Sequence, residues 1–197
     1  GNGGTLTAKV QPDNASNKTV NWTTSNAGVA TVDVNGKGTA VGAGKATITA
    51  TAADGSEKKA VCEVPVPAKT YTLPADPAAI GFGSVQTGYS QPAAQTVTVK
   101  NTGNQNLNLN QPAASNYEVG ALSKTQLAPN DTATFTLRPK AGLGAGSYNE
   151  SITVSANDGA KAVVNVNFAV SQPSGTAPTA TPAPKPTPLE QHTLHFN

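Results

Sequence analysis

Tyrosine is the residue type best placed to bind a ligand in this 197-residue chain. Tyr71, Tyr89, Tyr117 and Tyr148 lie in or near predicted turns of the second domain. An exposed tyrosine ring stacks on the apolar face of a sugar while its hydroxyl forms a hydrogen bond. Tyr89 and Tyr117 are therefore the candidate ligand-binding residues. The competing interpretation is that such tyrosines are half-buried caps at the end of a sheet, with their hydroxyls bound to backbone.

Carboxylates with calcium-like spacing are scarce. Calcium takes six to eight oxygen ligands, usually several of them from closely spaced Asp or Glu. Residues 33–36, Asp-Val-Asn-Gly, begin like a calcium loop but lack the third ligand position and the distal Glu. Asp13 and Asp131 are equally well explained as turn residues that cap their own backbone. We therefore assign no metal ligand and predict no cofactor, while weak calcium binding stays open.

Side chains that could support catalysis are also few. Both histidines, His192 and His195, fall in the last six residues, so the commonest general base is missing from the rest of the chain. Glu118 and Glu150 are one possible pair of the carboxylates that glycoside hydrolysis requires, but both residues are explained equally well as solvated side chains at strand edges. The single cysteine, Cys62, excludes an internal disulfide, and its inward parity predicts an inert buried thiol. We predict that the chain is not an enzyme.

Charge and hydropathy exclude further classes of function. Thirteen Lys and Arg balance eleven Asp and Glu, and Arg138 is the only arginine, so no dense basic face is available for nucleic acid. No apolar stretch approaches the roughly 18 residues that a membrane span needs. Low charge with abundant Thr, Asn and Ala is typical of exported bacterial proteins. The predicted location is extracellular, at the bacterial cell surface.

The elements that must position these residues read as short β-strands, because apolar and polar residues alternate between Gly, Asn, Asp and Pro. Asn35-Gly36 and Asp54-Gly55 predict two hairpins in the first third. The only tryptophan, Trp22, shares the parity of Val20, which favours burial in the core over sugar binding. The inward positions of this part are Leu6, Ala8, Val10, Val20, Trp22, Ala30, Val32, Val34, Ala46, Ile48, Ala50, Ala52, Ala60, Cys62, Val64 and Val66.

Proline at positions 65 and 67 interrupts this pattern and predicts a domain boundary. The predicted division of the chain is a first domain (1–67), a linker (68–77), a second domain (78–172) and a Pro/Thr-rich disordered tail (173–197). One interpretation of the last nine residues, which do not continue the Pro/Thr-rich composition, is that they are vector-derived. The second domain has about seven strands at sandwich spacing. Its inward positions are Val97, Val99, Leu107, Leu109, Ala133, Phe135, Leu137, Ile152, Val154, Ala162, Val164, Val166, Phe168 and Val170.

The first domain carries a series of motifs in a recognisable order. Asn21-Trp22-Thr23-Thr24-Ser25-Asn26, Val29-Ala30-Thr31-Val32-Asp33, Asn35-Gly36-Lys37-Gly38 and Ala43-Gly44-Lys45-Ala46-Thr47-Ile48 follow one another. Over about residues 4–67 the chain resembles the bacterial immunoglobulin-like domain, group two. The resemblance implies repeated modules of bacterial surface proteins, with a role in spacing or adhesion.

The second domain resembles the abnormal-spindle/hydin-type immunoglobulin-like modules over about residues 78–170. The motifs that carry this resemblance are Ile80-Gly81-Phe82-Gly83-Ser84-Val85, Val97-Thr98-Val99-Lys100-Asn101-Thr102-Gly103-Asn104, Leu127-Ala128-Pro129-Asn130-Asp131 and Gly146-Ser147-Tyr148. Asn130 stands where Gly is usual. The expected architecture is all-β, with two tandem immunoglobulin-like β-sandwiches followed by the Pro/Thr-rich tail.

These features predict non-catalytic spacer and adhesion modules of a bacterial secreted or cell-surface protein, which position neighbouring adhesive or catalytic domains. The expected state is a monomer whose partners are the flanking domains of the parent protein, with no nucleic acid and no membrane span. The alternative is a binding module for a polysaccharide or host surface protein. It would use loops or a strand edge of the second domain.

Overall fold

The computed structural model describes residues 3–173. They form an all-β structure in which the one helical element is a short 3-10 turn, Asn157–Gly159. Within this range no helix is long and apolar enough to cross a membrane. The predicted tail beyond residue 173, with His192 and His195, lies outside the described residues.

The first sandwich is built from two three-stranded sheets. Its strands are β1 (Gly3–Thr5), β2 (Val20–Thr24), β3 (Ala30–Val32), β4 (Lys37–Ala40), β5 (Gly44–Ala52) and β6 (Lys59–Val66). One sheet has the order β1-β4-β3 and the other β2-β5-β6, with every pair antiparallel. Both predicted hairpins are present, because β3 pairs with β4 and β5 pairs with β6.

The hairpin between β3 and β4 shows why the sequence turns there. Asp33 Oδ1 accepts hydrogen bonds from the backbone N–H groups of Asn35 (2.8 Å) and Lys37 (2.9 Å). Gly36 has a φ of +77°, and a Cβ at this position would run into the Leu6 carbonyl and the Trp22 ring. The turn therefore requires glycine both for its backbone conformation and for the space beside Trp22. Trp22 itself is half-buried.

The core of the first sandwich is incomplete along β6. Ile48 on β5 is 1% exposed, whereas Cys62, its direct partner on β6, is exposed. The prediction of a buried Cys62 is therefore wrong, because β6 is an edge strand whose first half is not covered by the opposite sheet. Ala60, also expected inward, is exposed as well, whereas Val64 and Val66 pack against the cluster of Val29, Ala30 and Ala46. Val34 was also expected inward, but it lies in the turn after β3 and is 85% exposed.

The second sandwich is larger and contains nine strands. They are β7 (Ala75–Asp76), β8 (Ala79–Gln86), β9 (Gln95–Lys100), β10 (Leu107–Asn108), β11 (Tyr117–Val119), β12 (Gln126–Leu127), β13 (Thr132–Pro139), β14 (Gly146–Ser155) and β15 (Lys161–Ser171). One sheet has the order β11-β13-β9-β7 and the other β14-β15-β8, while β10 and β12 form a separate pair. Every inward position predicted for this domain is buried. Each large apolar side chain in such a core contributes about 1.5–3 kcal/mol.

A parallel ladder joins the beginning and the end of the second sandwich. β8 pairs with β15 from Asn165↔Ala79 to Ser171↔Gln86, with a shift in register between Asn167 and Ala169. The ladder is extended at both ends, because Asn165 N–H donates to the Ala78 carbonyl and Thr87 N–H to the Ser171 carbonyl, each at 2.9 Å. The first and last long strands of this domain thus lie side by side.

The segment predicted as a linker, residues 68–77, is largely part of the second sandwich. β7 pairs with β9, and Thr102 N–H donates to the Thr72 carbonyl at 3.0 Å, so the segment runs along the edge of that sheet. Leu73 is 3% exposed within the second core. The prolines that suggested a linker are compatible with this position, because an edge strand leaves one side of its backbone unpaired.

Candidate functional site

Tyr117, one of the two predicted ligand-binding tyrosines, lies inside the second core. It belongs to β11, which pairs with β13, and it is 1% exposed. Its hydroxyl donates to the Tyr148 carbonyl at 2.6 Å, and its ring lies 5.9 Å from that of Phe82. Desolvation, with a smaller contribution from the Glu150 charge, raises the pKa of Tyr117 to about 12. The prediction that Tyr117 stacks on a sugar is wrong, because its ring is not accessible.

Tyr89, the second predicted residue, is half-buried and supports the backbone of a neighbouring loop. Its ring packs edge-on against Phe168 with centroids 5.3 Å apart. Its hydroxyl donates to the Lys140 carbonyl at 2.6 Å and accepts from Leu143 N–H at 3.3 Å. Tyr89 and Tyr117 therefore do not form a shared aromatic surface, and the capping interpretation describes both of them.

Tyr148 and Tyr71 complete the set. The Tyr148 hydroxyl donates to the Gly144 carbonyl at 2.8 Å, which closes the turn before β14 as expected for a cap. Tyr71 is half-buried against the second core, and its hydroxyl makes no hydrogen bond to any residue in 3–173. Tyr71 is thus the tyrosine whose polar atom is available to a ligand.

The carboxylates that suggested metal or acid-base chemistry are engaged in local structure. Asp54 accepts from the Ser56 side chain and backbone, which lowers the pKa of Asp54. Glu150 accepts from the backbone N–H groups of Ser115 (2.6 Å) and Asn116 (3.1 Å), so it caps a loop. In the part of the chain that the structure describes, no three His, Cys, Asp or Glu side chains cluster as a metal site would require.

Glu118 forms the tightest ion pair of the second sandwich. Its Oε2 accepts from Arg138 Nε at 2.7 Å across the β11–β13 pair. Hydrogen bonds from Gln91 and then from Arg138 hold the pKa of Glu118 below its usual value. Glu118 and Glu150 thus have separate structural partners, Arg138 for the first and the backbone of residues 115 and 116 for the second.

The most organised polar feature is the loop of residues 101–106 between β9 and β10, here called the Asn101 loop, which the sequence analysis named only within a family motif and without a functional role. Asn101 is completely buried. Its Nδ2 donates to the carbonyls of Gln105 (2.7 Å) and Leu127 (3.0 Å), and its Oδ1 accepts from Gly103 N–H (3.0 Å). Because the buried side chain binds three backbone groups, it holds the loop in one conformation, as backbone hydrogen bonds do in a sheet. The available signal was the density of amide residues, six of the eight positions from 104 to 111.

Asn104 joins this loop to the chain that enters the second sandwich. Its Oδ1 accepts from Thr70 N–H at 2.9 Å, and its Nδ2 donates to the Ala68 carbonyl at 2.8 Å. The Asn104 N–H group also donates to the Thr70 carbonyl. A Cβ at Gly103 would collide with that carbonyl, so glycine permits the close approach. The side chain of Asn104 therefore takes the place of a strand partner for residues 68–70.

Two protein families match successive parts of the chain. Residues 1–64 match the bacterial Ig-like domain (group 2), and residues 72–169 match the HYDIN/CFA65/VesB-like Ig-like domain. The second match begins close to Leu73, in agreement with the position of this residue in the second core.

Two curated proteins are similar over about a third of the chain. An uncharacterized protein of Clostridium acetobutylicum is 53% identical over 62 residues, which are 32% of this chain and 6% of that protein. A 3-O-alpha-D-galactosyl-alpha-L-arabinofuranosidase of Bifidobacterium longum subsp. longum is 48% identical over 61 residues, which are 31% of this chain and 5% of that protein. The chain thus spans only a small part of the length of these relatives.

The solved structures that match the chain do so with low sequence identity and TM-scores below 0.5. Domains 1–6 of the surface layer protein SbsC match with a TM-score of 0.49 and 19% identity, over 79% of this chain and 20% of that chain. The Vibrio cholerae VesB protease matches with a TM-score of 0.36 and 14% identity, over 51% of this chain and 31% of that chain.

Proposed function

Because the chain belongs to the bacterial Ig-like domains of group 2 in its first part and to the HYDIN/CFA65/VesB-like Ig-like domains in its second, we propose that it is a non-catalytic spacer. In this role it positions neighbouring adhesive or catalytic domains of a secreted or cell-surface bacterial protein. The galactosyl-arabinofuranosidase relative, of which the matching segment is 5%, gives one example of a large protein that contains a similar domain.

The parallel ladder between β8 and β15 is the observation that carries this proposal. Tension on a spacer first loads the edge segment, residues 68–76, which is bound to Asn104 and β9, and then runs from the beginning of β8 to the end of β15. In a parallel pair these two points lie at opposite ends of the ladder, so the force runs along the strands. All hydrogen bonds from Asn165↔Ala79 to Ser171↔Gln86 then bear the load together, rather than breaking one after another.

The first sandwich lacks an equivalent connection. Its first strand, β1, pairs with β4, and its last strand, β6, pairs with β5, so no ladder joins the two points at which tension is applied. We therefore expect the second sandwich to resist force better than the first. The amide of Asn104, bound to residues 68–70, would transmit tension to the second sandwich without a long flexible linker.

Single-molecule stretching of the whole chain, held at its two ends, tests this role. At roughly 3.4 Å per residue, the unfolded contour length is about 220 Å for residues 3–66 and about 350 Å for residues 70–171, and each unfolding step lengthens the molecule by this contour length less the distance between the ends of the folded domain. The two events are thus distinguishable in one trace. We expect the longer step at the higher force, because forced unfolding is governed by the barrier to breaking the ladder.

Thr87→Pro provides a variant for this measurement. It removes the hydrogen bond from Thr87 N–H to the Ser171 carbonyl at the exposed end of the ladder, and it should lower only the force of the longer step. Thr39→Ala, at an exposed position of the first sandwich, is the control and should leave the longer step unchanged. A second sandwich that unfolds at or below the force of the first would contradict the proposal.

A further inference from the structure

A pocket of about 350 Å³ lies on the second sandwich beside the Asn101 loop. It is lined by one tyrosine and four uncharged amide residues, Tyr71, Asn104, Gln105, Asn106 and Asn157, and its surface is almost entirely polar. Its volume falls at the lower end of the range for small-molecule sites. The pocket does not include Tyr89 or Tyr117, and the spacer role does not depend on it.

Two of the lining residues are held rigidly by the fold. Asn104 is fixed by its bonds to Thr70 and Ala68. Asn157 Oδ1 accepts from Asn108 N–H at 2.8 Å, and its Nδ2 donates to Asp158 Oδ2 at 2.7 Å. The buried Asn101 side chain binds the backbone of Gly103, Gln105 and Leu127 and so fixes the loop that carries Asn104 to Asn106. Such preorganisation lowers the entropic cost of binding.

Other polar groups of the pocket are available to a ligand. The Tyr71 hydroxyl and the Asn106 side-chain amide make no hydrogen bond to any residue in 3–173, and Gln105 uses its Nε2 but not its Oε1. An amide offers a donor and an acceptor side by side. These groups therefore match ligands whose neighbouring groups both donate and accept.

The chemistry favours a neutral saccharide. Each sugar hydroxyl both donates and accepts hydrogen bonds, as the side-chain amides and the Tyr71 hydroxyl of the pocket do, and almost all of the surface that lines the pocket is polar. A strongly anionic or cationic ligand would find no countercharge among the five uncharged lining residues. We propose that this pocket binds one residue of a neutral oligosaccharide, with Asn106 and Tyr71 as its principal contacts.

An amide NMR titration of the ¹⁵N-labelled chain tests this proposal. The probes are maltohexaose, cellohexaose, arabinohexaose and galactotetraose, each added to about 10 mM, which suffices for a Kd on the order of 1 mM. An oligogalacturonate is the charged comparison. We expect saturable shifts with at least one neutral probe, confined to the amides of Tyr71, residues 103–108 and Asn157.

Matched variants identify the contacts. Asn106→Ala should weaken binding about tenfold, since it removes the donor and acceptor of one side chain, and Tyr71→Phe should weaken it several-fold while the ring remains. Asn149→Ala, an exposed asparagine on β14, should change nothing. The proposal is overturned if no neutral probe gives saturable shifts, if only the oligogalacturonate does, or if Asn106→Ala binds like the unmodified chain. Failure here would leave the stretching result, and with it the spacer role, unaffected.

Discussion

Asn101→Ala removes few atoms, yet it should strongly destabilise the second sandwich. Asn101 is 0% exposed and holds three backbone groups, the Gln105 and Leu127 carbonyls and the Gly103 N–H. Alanine cannot bond to any of them. The perturbation therefore leaves polar groups unpaired in the interior while the apolar core stays as it is.

The magnitude follows from how many of these groups are shielded from water. Gly103 and Leu127 are buried, whereas Gln105 is partly exposed and can regain a water partner. A buried polar group without a partner costs about 1–3 kcal/mol. Two such groups lower the free energy of unfolding by about 3 kcal/mol, once partial relaxation is allowed. With a urea m-value of about 1–3 kcal/mol per M, the midpoint should fall by about 1–3 M.

Urea unfolding followed by NMR measures this effect, with the amide signals of Val97 and Val164 reporting the second sandwich. Fluorescence of Trp22 reports the first sandwich in the same samples and should not change. Asn108→Ala is the matched control, because Asn108 is exposed and its side chain makes no hydrogen bond to another residue in 3–173, so its effect should stay within about 0.5 kcal/mol. Equal midpoints for the two variants would refute the reasoning.

Asn101→Asp separates hydrogen bonding from side-chain volume. At neutral pH its carboxylate would face the Gln105 and Leu127 carbonyls, so burial and repulsion should raise the folded-state pKa above the unfolded value of about 3.9. A raised folded-state pKa means that stability is greatest below the unfolded pKa and is lost as the pH rises through the folded pKa. Stability that is independent of pH would show that the carboxyl group escapes to solvent.

Three further predictions concern individual side chains. The exposed Cys62 should react with a maleimide in the folded chain at a rate within about tenfold of that in urea, and strong protection would contradict the open edge at β6. The pKa of Glu118 is lower in the folded than in the unfolded chain, so its charge stabilises the fold above the unfolded pKa, and this stability is lost as the pH falls through the folded pKa. Glu118→Gln should therefore be less stable than the unmodified chain at neutral pH and equally stable in strong acid, as measured by urea unfolding. Tyr117, with a pKa of about 12, should ionise at higher pH than an unfolded tyrosine, whose pKa is about 10, so the stability of the fold should decrease as the pH rises between these values. In an ultraviolet titration Tyr117→Phe should lose the ionisation step at the highest pH, and a variant that retained this step would refute the assignment.

Alternation of apolar and polar residues was sufficient to predict the second core from the sequence. Every predicted position from Val97 to Val170 is buried, since each strand there is covered by the opposite sheet. The strand at Ala75–Asp76 was missed because it is two residues long and lies among prolines. Its position depends on pairing with β9, more than twenty residues further along the chain, which no local pattern encodes.

The roles of the tyrosine and asparagine side chains were harder to predict for a related reason. Tyr117 follows turn-like residues, which suggested exposure, but its pairing in β11 directs the ring into the core. Asn101 and Asn104 look like ordinary turn residues, and their roles appear only when Leu127 and Thr70 are brought beside them by the fold. The parity of a position therefore predicts which face of the strand its side chain occupies, while the hydrogen bonds of a polar side chain depend on residues that are distant in the sequence.

Cys62 and Ile48 show the limit of parity most directly. They are partners on neighbouring strands and point to the same side of one sheet, yet Ile48 is 1% exposed and Cys62 is exposed. The difference lies in how far the opposite sheet extends, because it covers Val64 and Val66 of β6 but not Cys62. In the second sandwich the last strand, β15, is not an edge strand, because β8 pairs with it. The same pairing joins the beginning of β8 to the end of β15, the two points between which tension acts in the proposed spacer role.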